Sequence, residues 1–273
     1  MSTPGTRVQL AGLAACVIAS AAVAAGDAEL NPAPTAQDWA AIARLPDWSG
    51  VWTPYVSDQN ARIKRDPTPW RPEVAAQIAA MEGAEKAGAP RGLFIDCLPE
   101  GMPSWMLITH NAFEVLFTPG RVTLLGEMDG NRIRRIYTDG RGHPPDPDPT
   151  FHGHSIGRWE GTTLVVDTIG VLPEAWIAVS EAVGIPNNGD LHVVERLHLD
   201  GPDRLVDELE ITAPRVLSAP WKTARIYFRQ RARKYDIVEG VCLQGGMAAR
   251  QDAHGNWIYE ALPQDNGNPL PPK

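Results

Sequence analysis

From residue 112 onward the chain keeps returning to one pattern: a short run rich in Val, Ile, Leu, Thr, Phe and Tyr, then a turn. The runs Ala112–Thr118, Arg121–Met128 and Arg132–Thr138 are separated by Pro119-Gly120 and Asp129-Gly130-Asn131. Thr162–Ile169, Leu191–Leu199, Arg204–Thr212, Thr223–Gln230 and Tyr235–Val241 follow, with Gly201-Pro202-Asp203 and Arg231–Lys234 as turns. β-branched and aromatic runs this short, punctuated this way, read as strands, and Asp-Gly between two of them is a hairpin signal. Hairpin connections favour antiparallel pairing. About eight such strands in one meander can close a lipocalin-like barrel just wide enough for one small ligand, with a two-sheet sandwich as the other solution. The 25 glycines and 25 prolines, about 18 % of 273 residues, supply the turns without reaching the composition of disorder. No dinucleotide-binding, phosphate-loop or tandem-repeat pattern is present, and no linker marks a second domain in the barrel region.

The first 25 residues read as a secretory signal peptide. Arg7 precedes the apolar run 8–19, and Ala22-Val23-Ala24-Ala25 is a small-residue exit. Leu13-Ala14-Ala15-Cys16 also fits a lipoprotein box, which would anchor the chain through Cys16. Apolar sequence continuing past Cys16 favours cleavage after Ala24 or Ala25 and a periplasmic or secreted product. Removal of Cys16 leaves Cys97 and Cys242, and an even count in an oxidising compartment predicts that they form a disulfide. Residues 26–96 form a Pro/Trp-rich strap with two short helices. One runs from Ala36 to Leu45, capped by Thr35, with Trp39, Ile42 and Ala43 as its apolar stripe. The other runs from Pro72 to Ala87, with Val74, Ile78 and Met81 on one face. The barrel then occupies 97–245, and 246–273 is a tail. A net charge of −8 argues against nucleic acid and anionic membranes as partners, and no other segment is apolar enough to span a bilayer. Nothing in the sequence sets an oligomeric state.

The densest text lies between residues 134 and 198. It contains Arg134-Arg135-Ile136-Tyr137-Thr138-Asp139-Gly140-Arg141-Gly142-His143-Pro144. Next come His152-Gly153-His154-Ser155-Ile156-Gly157-Arg158-Trp159-Glu160-Gly161-Thr162-Thr163-Leu164-Val165-Val166-Asp167-Thr168, and then Leu191-His192-Val193-Val194-Glu195-Arg196. Here the chain resembles a poorly characterised family of secreted bacterial proteins with the phrases GHS-x-GRWEG-x-TLVVDT and LHV-x-ER. The resemblance runs from Trp48 to Cys242 and carries no named reaction. It departs at Gly170-Val171-Leu172-Pro173 before Trp176, at Asn187-Asn188, and at Asp207, where relatives often carry Tyr.

Taken as chemistry, the same residues give several candidates. His152 and His154, two apart on an extended chain, would share a face about 7 Å apart and can hold a divalent transition metal if Asp167, His192 or Glu195 join them. A tight loop at Gly153 is the structural alternative. Asp167 ends an apolar strand, where a carboxylate either caps the next turn or orients a histidine. On the Leu191 strand, Leu191, Val193, Glu195 and Leu197 face one way and His192, Val194, Arg196 and His198 the other. An inward Glu195 needs a partner such as Arg135 or Arg158, or else serves as a pocket acid. Arg158–Gly161 reads as a hairpin turn with Trp159 as a lid. Trp176, Asp207 and Arg196 are candidate substrate contacts. No H-E-x-x-H or C-x-x-C occurs, which removes the common zinc motifs. Gly153-His154-Ser155-Ile156-Gly157 spells G-x-S-x-G, but no helix signal follows it as a nucleophile elbow requires, so a serine triad is not expected. The sequence therefore points to an exported, cofactor-independent enzyme of lyase or isomerase type. It would use His192, His154, His152, Asp167 and Glu195 for acid–base chemistry on a small hydrophobic or aromatic molecule in a barrel cavity. A non-catalytic barrel binding an apolar ligand, and an envelope protein without a pocket, are the competing classes.

Overall fold

Nine strands close on themselves. The computed structural model describes residues 33–108, 112–127, 132–232, 237, 240, 247–251 and 257–261. Its strands are β1 (Val51–Pro54), β2 (Phe113–Thr118), β3 (Arg121–Gly126), β4 (Ile133–Tyr137), β5 (His154–Glu160) and β6 (Thr163–Ile169). They continue with β7 (Trp176–Ala178), β8 (Gly184–Pro186), β9 (His192–Leu199), β10 (Arg204–Thr212), β11 (Trp221–Arg229), β12 (Met247–Gln251) and β13 (Trp257–Ala261). The closed barrel runs β1-β11-β10-β9-β6-β5-β4-β3-β2, while β7–β8 and β12–β13 are separate hairpins. The expectation of a mainly β chain closing as a barrel is therefore met, with nine strands rather than about eight.

Two features depart from a simple meander. Strand β1 comes from the strap, pairs with both β2 and β11, and completes the closure. Strands β4 and β5 pair in parallel, Ile136 beside Ser155, whereas every other neighbouring pair in the barrel is antiparallel. A parallel pair needs a long crossover. Residues 138–153 supply it, passing over β5 and β6, where His143 meets His154 and Asp167 and where Pro147 covers Gly170. Residues 158–160, read from sequence as a turn, are the end of β5, and the turn itself falls at Gly161 with φ +63°. The Asp129-Gly130 hairpin, the Tyr235–Val241 run (save 237 and 240), the signal peptide with Cys16, and Cys242 lie outside the described residues. The segment read as a tail contains β12 and β13.

Four helices among the described residues accompany the barrel. Thr35 caps α1 (Ala36–Ile42) through a capping box with Asp38, but α1 buries no residue, so its Trp39 stripe is not a core face. Helix α2 (Val56–Arg65) was hidden from the sequence by its polarity. Asp58 and Asp66 pair with Arg62 along it, and the Asp66 carbonyl accepts from Trp221 Nε1. Helix α3 (Pro72–Lys86) starts on Pro72 and buries Val74 and Ile78. The single turn α4 (Ser104–Leu107) is wholly buried.

Strand alternation fills the barrel. Val193, Glu195 and Leu197 of β9, Leu205, Asp207, Leu209 and Ile211 of β10, and Trp221, Thr223, Arg225 and Tyr227 of β11 are buried and share register positions facing inward. Towards one end, Trp48, Phe117 and Trp159 pack with ring centroids 5.3 to 5.9 Å apart. Towards the other, α4 sits on inward side chains: Tyr227 Oη donates to the Met106 carbonyl at 2.6 Å, and Arg225 Nε to that of Leu107 at 3.0 Å.

Candidate functional site

The five expected acid–base residues divide between the two sides of the barrel wall. Inside, Arg134 of β4 donates through Nη1 to Glu195 Oε1 at 2.8 Å and through Nη2 to Glu195 Oε2. Both side chains are essentially unexposed, at 1 % and 0 %. The same Nη2 donates to Thr168 Oγ1 at 3.1 Å and reaches Ser155 Oγ at 3.4 Å, and those two hydroxyls bond each other at 2.8 Å. Burial works against the Arg134 charge, but Glu195 outweighs it and the guanidinium is held above its usual range. Glu195 thus has the buried arginine partner its inward position demands. It is Arg134, not Arg135 or Arg158: Arg135 points outward and exposed, and Arg158 pairs with Glu160 at 2.9 Å.

Asp207 also points inward, fully buried, with no hydrogen-bond partner on either oxygen. Burial, then repulsion from Glu195, push its carboxyl well above the usual carboxylate range, with Arg134 and Arg225 opposing. His152 packs its ring edge-on to Trp105 at 5.4 Å, with neither nitrogen bonded. Burial first, then Arg134 and Arg132, lower it to about 3. His152 and His154 do not share a face, because Gly153 turns the chain at φ +67° just before β5 begins. A Cβ there would also stand 2.5 Å from the Ile169 carbonyl oxygen, so the tight loop is the reading that holds. Among the described residues no group of three or more His, Cys, Asp or Glu has the geometry to hold a metal ion.

Outside, the remaining three come together. His154 begins β5, Asp167 stands near the end of β6, and His192 begins β9, all on the outer face. The crossover adds His143. Asp167 Oδ1 lies 3.0 Å from His143 Nε2 and 3.0 Å from His192 Nε2, and His143 Nδ1 lies 2.8 Å from His154 Nδ1. The side chains of His192 and Asp167 are 43 % and 37 % exposed, so water and solutes reach them. A carboxylate only accepts, so both Nε2 atoms carry the proton. In neutral His192 this leaves Nδ1 as a bare base. In neutral His143, Nδ1 accepts from His154, which leaves His154 Nε2 bare. Tyr137 stacks on His154 at 5.4 Å, and Arg141, held by Asp139 at 2.8 Å, lies over Tyr137 at 4.1 Å. Burial first, then His143 and Arg141, lower the proton affinity of His154.

The three expected substrate contacts are scattered. Arg196 points outward and pairs with Glu160 at 3.0 Å. Trp176 packs beside Leu93, Ile108 and Ala178, and its carbonyl accepts from Ser104 Oγ. Asp207 belongs to the interior. Asp167 orients histidines rather than capping a turn. His143, Tyr137 and Arg141 were not singled out from sequence, although all three sit in the phrase Tyr137-Thr138-Asp139-Gly140-Arg141-Gly142-His143. What hid them is the parallel crossover that folds this phrase onto β5 and β6. Cys97 is disulfide-bonded; its expected partner Cys242 lies outside the described residues. The chain matches no protein-family profile and no curated protein sequence.

Proposed function

We propose that this chain is an exported acid–base enzyme acting on a small hydrophobic or aromatic molecule. His192 is the proton-transfer group and Asp167 the group that holds it. One observation carries the reading: Asp167 fixes the His192 ring through Nε2 at 3.0 Å and leaves Nδ1 bare on a half-exposed face. An imidazole held this way, with one nitrogen tied to a carboxylate and the other bare, is built to take a proton from a bound molecule and return it. Ile156 and Val194 stand directly opposite Asp167 on the two flanking strands and give the site apolar shoulders, which favours an apolar substrate. The reactions within reach are elimination, hydration and isomerisation. The site lies on the barrel's outer face rather than in its lumen, where the Arg134–Glu195 pair and the two end plugs stand.

The test is a panel of small enolisable and unsaturated aromatic compounds incubated with the full protein in deuterated water. Conversion and deuterium uptake are read by mass spectrometry. The expected result is turnover of at least one compound, cut by about 10²–10⁴-fold in His192→Ala with little change in thermal midpoint. Turnover that His192→Ala leaves intact would overturn the assignment.

A further inference from the structure

The inference rests on the reading above and names the kind of reaction it runs. A single carboxylate oxygen, Asp167 Oδ1, faces two imidazoles at equal distance, 3.0 Å from each Nε2. Their other nitrogens differ. His143 Nδ1 is committed to His154 Nδ1 at 2.8 Å, while among the described residues His192 Nδ1 and His154 Nε2 bond nothing. The cluster therefore has two separate proton-transfer atoms and one counter-charge. We infer that it is a two-base site in which Asp167 balances one positive charge that passes from His143 to His192 as a proton moves between two atoms of the substrate.

The proton count closes. Before turnover His143 is the imidazolium, donating through Nε2 to Asp167 and through Nδ1 to His154, so His154 carries its own proton on Nε2. His192 is neutral with Nδ1 bare. His192 Nδ1 takes a proton from a substrate C–H, and the bond's electron pair enters an adjacent conjugated system. At the far end of that system a new C–H forms with the proton of His154 Nε2. The His143 Nδ1 proton then passes to His154 Nδ1. The substrate has become its positional isomer. His143 is neutral, His192 is the imidazolium, and the same Asp167 oxygen faces the charge in both states. Proton loss from His192 and uptake at His154 through water reset the site. Burial first, then His143 and Arg141, which is restrained by Asp139 and by the Tyr137 ring, disfavour charge on His154 itself, while the Asp167 carboxylate stands 3.0 Å from His143 Nε2 to face it there. The substrate class is a small unsaturated molecule whose C–H is acidified by a neighbouring carbonyl or double bond.

Nitrogen-15 NMR of the full protein, labelled at histidine, tests this without a substrate. The expected spectrum places the His192 proton on Nε2 and shows a through-hydrogen-bond nitrogen–nitrogen coupling between His143 Nδ1 and His154 Nδ1. In Asp167→Asn the single His192 tautomer should give way to a mixture. A wild-type His192 protonated on Nδ1 alone, or no coupling between His143 and His154, overturns the two-base site even if the protein turns over its panel compound. On a compound that is turned over, His154→Gln should cut the rate at least tenfold, and an unchanged rate would also overturn it. If the tautomers are as expected but His192→Ala loses no activity, the enzyme reading fails and the two-base site with it, whereas the wrong tautomer or a missing coupling overturns the two-base site alone.

Discussion

Replacing Glu195 by glutamine should destabilise the barrel by about 3 kcal/mol, at the lower end of the range for breaking a buried ion pair from one side. The full cost, roughly 3–5 kcal/mol, applies when the orphaned charge finds no substitute. Two features of this site reduce it. Glutamine keeps one oxygen able to accept from Arg134 Nη1, now 2.8 Å from Glu195 Oε1. Burial first, then Glu195, push the Asp207 carboxyl well above the usual carboxylate range; once that repulsion is gone, Asp207 ionises more readily and can face Arg134 as the new counter-charge. Asp207→Asn alone removes an acid with no hydrogen-bond partner and should shift stability by no more than about 1 kcal/mol. The double substitution leaves Arg134 with neither carboxylate, so its cost should exceed the sum of the singles by about 1–2 kcal/mol. Urea unfolding at neutral pH, read as the midpoint at constant slope, measures all four proteins. Strict additivity, or a Glu195→Gln cost below about 1 kcal/mol, would refute the view that Arg134 and the two carboxyls form one electrostatic unit.

Three further outcomes are expected. His152, lowered to about 3 in the folded state from 6.5, resists protonation there, so the stability it contributes at neutral pH is lost as pH falls from about 6.5 towards 3; His152→Phe should flatten that limb of a thermal-midpoint-against-pH curve, and an unchanged limb would sink the assignment. Gly101→Ala should cost about 1–3 kcal/mol in urea unfolding, because its Cβ would stand 2.3 Å from the Phe151 backbone oxygen, which cannot swing aside as a side chain would; a neutral result would show that the two segments are not locked together. Thr168→Val, similar in shape but without the hydroxyl that meets Arg134 and Ser155, should cost about 1–3 kcal/mol and shift the nitrogen-15 signals of His143 and His192; a stability loss without those shifts would uncouple the interior from the outer site.

How far the sequence carried depended on whether a feature was local. The strands from Arg204 to Arg229 and from Phe113 to Tyr137 are legible because alternation and turn residues are properties of adjacent positions. The opposite facings of His192 and Glu195 follow from alternation alone, and the structure keeps them. Strand β5 was missed because its inward positions are Ser155, Gly157 and Trp159. The small Gly157 stands there because a Cβ would come within 2.8 Å of Ile136 Cγ2, so no apolar repeat marks the strand. The Arg134 partnership could not be read, since β4 and β9 are separated by two strands whose order is set by closure of the whole barrel. His143 was beyond reach for the same reason: only a parallel β4–β5 pair sends its loop back over the outer face.

The inner and outer clusters share one scaffold. Arg134, Ser155, Thr168 and Glu195 come from β4, β5, β6 and β9, and one guanidinium ties all four together from within. Tyr137, His154, Asp167 and His192 stand on the outer faces of those same strands, with His154 adjacent to Ser155 and Asp167 adjacent to Thr168. Hydrogen bonds at 3.0 Å between groups on different strands tolerate little sliding, and a relay through His143 tolerates less. A purely apolar interior would stabilise the barrel as well or better, but its contacts are less directional and would fix the strands' registers less tightly. The buried arginine instead bonds named atoms on each of three other strands: both Glu195 oxygens and the Ser155 and Thr168 hydroxyls. On this view the Arg134 network is retained for where it holds the strands, and the outer site inherits that order.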